Sequence, residues 1–175
     1  VTPWGKGRLQ PTLLGSFNVS NLLAVTTCVM ATESEDGNFD FSSTLAAINE
    51  VSPVKGRMEL IGDHPVSVVV DYAHTPDALK NALHALKEHY EGKLANRLIV
   101  TDDNPRRESS SEIIQQIIGG FSDTKNVIVE SDRATAIDYA VNHASEGDVV
   151  LIAGKGHEEY QDVGGNRMMF SDVKQ

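Results

Sequence analysis

The chain has 175 residues and a mass of 19.0 kDa, which suits one domain, or one domain and a piece of another, at about 100–150 residues per domain. Hydrophobic residues make up 40% and charged ones 23%, enough apolar surface for a packed core, so disorder is not the default. Asp plus Glu number 25 against 15 Lys plus Arg, a net charge of −10 and a pI near 4.9; this argues against nucleic acid as the main partner but leaves small anions within reach of a few local basic residues.

Residues 2–7 are a Pro/Gly-rich start, and a helix-like apolar stretch follows over 19–31. That stretch holds the single cysteine, Cys28, so no intramolecular disulfide or thiolate zinc site can form. Cys28 itself reads as a small core residue. Next comes an acidic, Gly-containing break at 33–38, where Asp36, like Asp40 beyond it, reads as part of a solvated loop. A short helix is predicted over 43–50, ending before Pro53. Residues 1–54 therefore hold one and a half helices and no clear strand partner, the texture of the end of a neighbouring domain. No apolar run approaches the ~20 residues of a membrane span and no signal pattern opens the sequence. A cytoplasmic protein without a membrane partner is expected.

From Lys55 onward the texture is regular. Strands are predicted at 66–70, 97–101, 126–129 and 148–153, with helices at 76–90, 112–119 and 134–144 between them. The short runs SVVV, LIV, VIV and VVLIA are what strands buried on both faces look like. Strand–helix alternation implies parallel strands with helices on both sides, an α/β, Rossmann-like, mostly parallel sheet over 55–175. At 160–170, Gly164-Gly165-Asn166 between two short runs predicts a C-terminal hairpin. Thr75-Pro76-Asp77 reads as an N-cap, a proline at the first helical position and an acid in the first turn. Ser109 and Glu112 have capping-box spacing.

Ligands of open α/β sheets bind beyond the carboxyl ends of the strands. Four polar clusters follow the four strands: Asp71–Asp77, Asp102–Arg107, Glu130–Arg133 and Gly154–Glu159. One edge of the sheet would carry all of them. Taken singly each has a plain explanation: Asp71 ends a strand, His74 sits in a turn, and Asn104-Pro105 is turn chemistry. Gly154-Lys155-Gly156 lacks the spacing of a phosphate loop. His84, His89 and His143 lie on helices without paired ligand spacing and read as solvated. Together, Arg106 suits a carboxylate, while Asp103, Asn104 and Glu158 suit an ammonium group, so an amino-acid substrate is inferred.

Gly56-Arg57-Met58-Glu59, Asp71–Asp77, Asp103-Asn104-Pro105-Arg106 and Ala153–Glu158 occur in this order in the Mur ligases, and Phe17–Asn21 is similar to that family's motif near the end of its central domain. The chain resembles the family over nearly its whole length. Asp-Asn-Pro-Arg is the signature of members that add meso-diaminopimelate to UDP-N-acetylmuramoyl-L-alanyl-D-glutamate in peptidoglycan synthesis. The resemblance implies the C-terminal portion of a three-domain ATP- and Mg²⁺-dependent ligase. Residues 1–54 would be the remnant of the central ATP-binding domain, and 55–175 the amino-acid-binding domain. Asp103, Asn104, Pro105, Arg106, Gly154 and Glu158 would hold diaminopimelate, Arg106 gripping the carboxylate that lysine lacks. Asn18, Asn21, Arg57, Asp71 and His74 would face the nucleotide.

No catalytic residue and no metal ligand is assigned, because the family's phosphate loop, Mg²⁺ ligands and carbamylated lysine belong to upstream regions. The family also has a further strand and a Gly-rich loop where this chain runs from Leu94 to Ala95. Ser171-Asp172 reads as the cap of a missing terminal helix. A monomer is expected, acting on small molecules (diaminopimelate, the UDP-MurNAc-dipeptide and ATP) and not turning over ATP as this chain alone. Two alternatives are a non-catalytic amino-acid or nucleotide binding module, and a related ligase making a folate or cyanophycin-like amide. The second is disfavoured by Asp103–Arg106.

Overall fold

The computed structural model describes residues 1–35, 40–90 and 97–175. Asp36 and the Leu94–Ala95 junction lie outside the described residues. Two helices come first, α1 (Ser16–Glu35) and α2 (Phe41–Asn49). They are followed by β1 (Glu59–Gly62), β2 (Ser67–Asp71), α3 (Pro76–His89), β3 (Leu98–Val100), α4 (Ser110–Gly119), β4 (Val127–Val129), α5 (Arg133–Asn142) and β5 (Val149–Ala153). A hairpin of β6 (Tyr160–Val163) and β7 (Asn166–Met169) and a 3₁₀ turn, Asp172–Lys174, complete the chain.

Strand β2 is the centre of the core. Successive side chains on a strand point to opposite faces, and both Val69 and Val70 are fully buried. Val69 packs with Met58, Ala73 and the α3 residues Ala82, Ala85 and Leu86. Val70 packs on the other side with Ile152 of β5 and Ile137 of α5. Helices thus cover both faces of the sheet, as the alternation predicts. β2 pairs in parallel with β5 and antiparallel with β1. β1 is a short, half-exposed edge strand interrupted by a register shift at Gly62, and no periodic signal in the sequence announces it.

The expected sheet differs in one respect. Among the described residues, β3 and β4 form their own parallel ladder and hydrogen-bond to none of the other strands. The junction at residues 94–95, where the family resemblance implies a further strand, lies outside the described residues.

Local signals were mixed in outcome. Thr75 caps α3, its Oγ1 accepting from Ala78 N at 3.2 Å, with Pro76 at the first position. The hairpin turns through Gly164 and Gly165 with φ of +63° and +83°, the doubly positive turn that suits a two-residue loop. Asp40, expected in a solvated loop, caps α2 by accepting from Ser42 N. The capping box at Ser109–Glu112 does not form: Ser109 Oγ meets Ser111 Oγ instead, and it is Ser110 Oγ that reaches the Asp102 carboxylate, at 2.6 Å. Cys28 is exposed rather than core. The buried line of α1 runs through Leu22, Thr26 and Met30, at intervals of four, and position 28 falls off that line.

Asp132 caps α5, accepting from Thr135 N at 2.8 Å. That hydrogen bonding holds its carboxyl below the ordinary value. Asp132→Ala is expected to cost about 1 kcal/mol at neutral pH, with Asp132→Asn costing less. Because the folded pKa is lowered, the charge-linked part is present above about pH 4 and is lost as pH falls through the lowered value. Thermal melts of the Ala variant and the parent should therefore converge in acid. A gap that stays constant down to pH 2.5 would contradict this.

Candidate functional site

Two loops that leave parallel strands build the site. Asp102–Arg107 follows β3, and Gly154–Glu159 follows β5. What joins them is Lys155, which is completely buried. Its Nζ lies 2.7 Å from Asp103 Oδ1 as an ion pair, and donates to Asn104 Oδ1 at 3.1 Å and Tyr160 O at 3.0 Å. A buried ammonium is stable only with its charge paired and its protons used. Lys155 therefore fixes Asp103, Asn104 and the start of β6 as one unit. The Asn104 amide is oriented by these contacts: its oxygen also accepts from Asp162 N at 2.9 Å, and its nitrogen donates to Glu158 Oε2 at 2.8 Å.

Arg106 follows with φ of +55°, in the left-handed region that disfavours a side chain by roughly 1–2 kcal/mol. Its N–H donates to Asp162 O at 2.9 Å, and its carbonyl accepts from Gly164 N, so the hairpin holds this conformation. Pro105 is buried beneath it, and the Arg106 side chain is exposed. Among the described residues no carboxylate pairs with Arg106. Lys155 neutralises Asp103, which leaves a half-buried Glu158, bonded to Asn104, and an exposed Arg106 on the two joined loops. Such an arrangement can read a zwitterion. Gly154 has φ of +112°, and a Cβ added there would stand 3.8 Å from Asp103 Oδ2, so all six residues expected at the amino-acid site lie on these two joined loops.

The expected nucleotide residues are not gathered in one place. The Asp71 carboxylate is buried and accepts from Met58 N and Ala73 N, both at 2.8 Å. It ties the Gly56–Met58 loop to the end of β2. Arg57 lies over the Tyr72 ring at 4.6 Å, with the His74 ring against the same tyrosine at 4.6 Å and His157 at 5.7 Å. Asn18 and Asn21 sit at the start of α1, bonded to Leu14 O and to each other. That start is tied to the far end of α3, where Gly15 N donates to His89 Nε2 at 2.9 Å. A 14-residue helix is about 21 Å long, and His74 precedes its other end. His89, expected as merely solvated, is exposed but holds this junction.

Lys155, Arg133, Tyr72 and His157 carry no individual signal in the sequence, where Lys155 is only part of an imperfect phosphate loop. Arg133 is buried, and Asp172, expected to cap a helix, is buried against it: Nε–Oδ1 is 2.7 Å and Nη2–Oδ2 2.8 Å. Ser171, which starts the 3₁₀ turn, makes no side-chain cap. The signal for burial was weak, since an Arg and an Asp 39 residues apart carry no local pattern.

The sequence pattern of the Mur ligase glutamate ligase domain matches residues 56–95 and 91–156. The chain is 40% identical over 200 residues to the UDP-N-acetylmuramoyl-L-alanyl-D-glutamate–2,6-diaminopimelate ligase of Coxiella burnetii, covering 99% of this chain and 40% of that protein. To the ligase of the same name from Haemophilus influenzae it is 42% identical over 195 residues, 97% of this chain and 39% of the relative. A solved structure of a 2,6-diaminopimelate ligase superimposes with a TM-score of 0.65 at 33% identity, covering 99% of this chain and 40% of that one. The chain thus spans about two fifths of the length of these relatives. With the family pattern matched over more than half of its residues, the chain belongs to the Mur ligase family.

Proposed function

We propose that this chain is the amino-acid-binding portion of an ATP-dependent ligase that joins meso-diaminopimelate to UDP-N-acetylmuramoyl-L-alanyl-D-glutamate in peptidoglycan synthesis. Residues 55–175 are the amino-acid-binding domain and 1–54 the end of a central ATP-binding domain. In such a reaction ATP converts the D-glutamate carboxylate to an acyl phosphate, an amine of diaminopimelate attacks it, and phosphate leaves. The part of this chain is to bind and orient the attacking amino acid. Arg106 takes a carboxylate through its planar fork, and Glu158, already aligned by Asn104, takes an ammonium group. Holding both ends of the molecule keeps one amine at a set position relative to the acyl phosphate.

The nucleotide would be met by Arg57 and His74 around Tyr72, with Asp71 shaping the loop, while Asn18 and Asn21, tied to the far end of α3, stand apart from that cluster. Among the described residues no cluster of three His, Cys, Asp or Glu side chains could hold a metal ion, so no Mg²⁺ ligand is assigned to them. None of their helices is long and apolar enough to cross a membrane. We place the protein in the cytoplasm, as a monomer, where ATP is available.

The observation that carries this reading is the exposed Arg106 on a loop pinned by Lys155, two residues beyond the Asn104 that holds Glu158. Lysine has both ammonium groups of diaminopimelate but one carboxylate fewer, so it isolates the contribution of Arg106. Calorimetry should show diaminopimelate binding more tightly than L-lysine. Arg106→Ala should weaken diaminopimelate by about 2–3 kcal/mol, the range for a hydrogen bond to a charged group, and lysine much less. Equal losses for the two amino acids would remove Arg106 as the selector.

A further inference from the structure

Arg133 is the first residue of α5, an unfavourable place for a cation because the helix N-terminus carries partial positive charge. It is nonetheless 4% exposed and paired with Asp172, itself 1% exposed. Replacing such a buried pair with apolar residues is often neutral for stability, so stability alone does not explain it. The remaining donors of Arg133 supply the explanation. Nη2 donates to Ala153 O at 2.9 Å, and Nη1 to Asp102 O at a longer 3.4 Å. Ala153 ends β5 and Asp102 follows β3, the two strands that share no ladder. The Ala153 carbonyl immediately precedes one ligand loop and the Asp102 carbonyl begins the other.

We propose that Arg133, locked by Asp172, is a positioning residue for the amino-acid site: its guanidinium sets the spacing of the two loops that no strand pairing holds together. Asp172 carries the 3₁₀ turn of residues 172–174 into the same device, so the C-terminal turn and the loop spacing are linked. The ligand affected rests on the proposed function; the loop spacing does not. Lys155 acts above Arg133, joining the loops through their side chains, while Arg133 joins them through their backbones.

The test uses an apolar double variant, Arg133→Met with Asp172→Leu, and Arg133→Lys as a second. A lysine can satisfy Asp172 but has a single terminal nitrogen and cannot span both carbonyls. Hydrogen exchange of the whole chain without ligand provides three bonded loop amides, Arg106, Gly154 and Glu158. In both variants these three should lose protection by about tenfold or more while Val69 and Val70 keep theirs. Diaminopimelate affinity should fall by about 10- to 100-fold, as small displacements of positioned groups produce. Unchanged loop protection, loss confined to one loop, or equal loss across β2 would overturn the proposal. A parent protein that shows the exchange pattern relative to its variants but binds no diaminopimelate would instead overturn the proposed function, leaving the spacing role supported.

Discussion

Asp103→Ala is expected to destabilise the protein by about 3 kcal/mol, more than Lys155→Met does, although Lys155 is the more buried partner. Removing the Asp103 carboxylate strands an ammonium with no exposed surface, leaving the neutral oxygens of Asn104 and Tyr160 and the residue-103 carbonyl around it. An uncompensated buried charge costs roughly 3–5 kcal/mol. The Asp103 side chain is 40% exposed, so water can enter the vacated space, which places the effect at the low end. Lys155→Met removes the charge itself, and Asp103 can then turn to solvent. What remains is chiefly the unpaired Tyr160 carbonyl, with the weaker contact to the Asp103 carbonyl also lost, at about 1–3 kcal/mol. The double variant should therefore be more stable than Asp103→Ala alone. Denaturant unfolding of the three variants reads this directly, and additive losses would show that the pair is not coupled.

The same pair shows where sequence reasoning reached and where it stopped. Strand runs such as SVVV and VVLIA, alternating with helical segments, predict β2 to β5 and α3 to α5 by their apolar signature, although burial on both faces holds for β2 and not for β4, whose Val129 is 48% exposed. Once the strands are placed, the rule that ligands gather at their carboxyl ends locates Asp103–Arg106 and Gly154–Glu158. The fate of Lys155 is different in kind. It depends on oxygens of residues 103, 104 and 160, about fifty residues away for two of them, and a charged residue between glycines looks locally like a solvated loop. Cys28 and Ser109 fail for a related reason. A single apolar residue has no face until its neighbours choose one, and a serine capping pattern competes with whichever acceptor the fold brings nearer, here Asp102 to Ser110. The scattered nucleotide residues were legible as motifs but not as a place, since a motif does not say which end of α3 it meets.

Gly56 is one residue of a recognised motif whose reason is fully steric, and Gly56→Ala is expected to cost about 3 kcal/mol or more. Its φ is +66°, and a Cβ there would stand 2.1 Å from His157 N and 2.3 Å from Gly156 C. These are backbone atoms, with no flexible side chain to move aside. Gly156 mirrors the constraint: its φ is +56°, and a Cβ would meet Gly56 O and Tyr72 Cβ, both at 2.8 Å. The loop before β1 and the loop after β5 thus touch through two glycines. A methyl group at 56 would push the Gly154–Glu158 loop away from Asn104 and weaken amino-acid binding from a position that touches no ligand residue side chain. Gly147 separates the two causes. Its φ is +85° but nothing lies within 4 Å of its added Cβ, so Gly147→Ala should cost only the conformational part, roughly 1–2 kcal/mol, and leave binding intact. Melting temperature and diaminopimelate affinity measured on both variants decide the matter: equal losses would mean that backbone conformation, not the contact between the loops, is why glycine stands at 56.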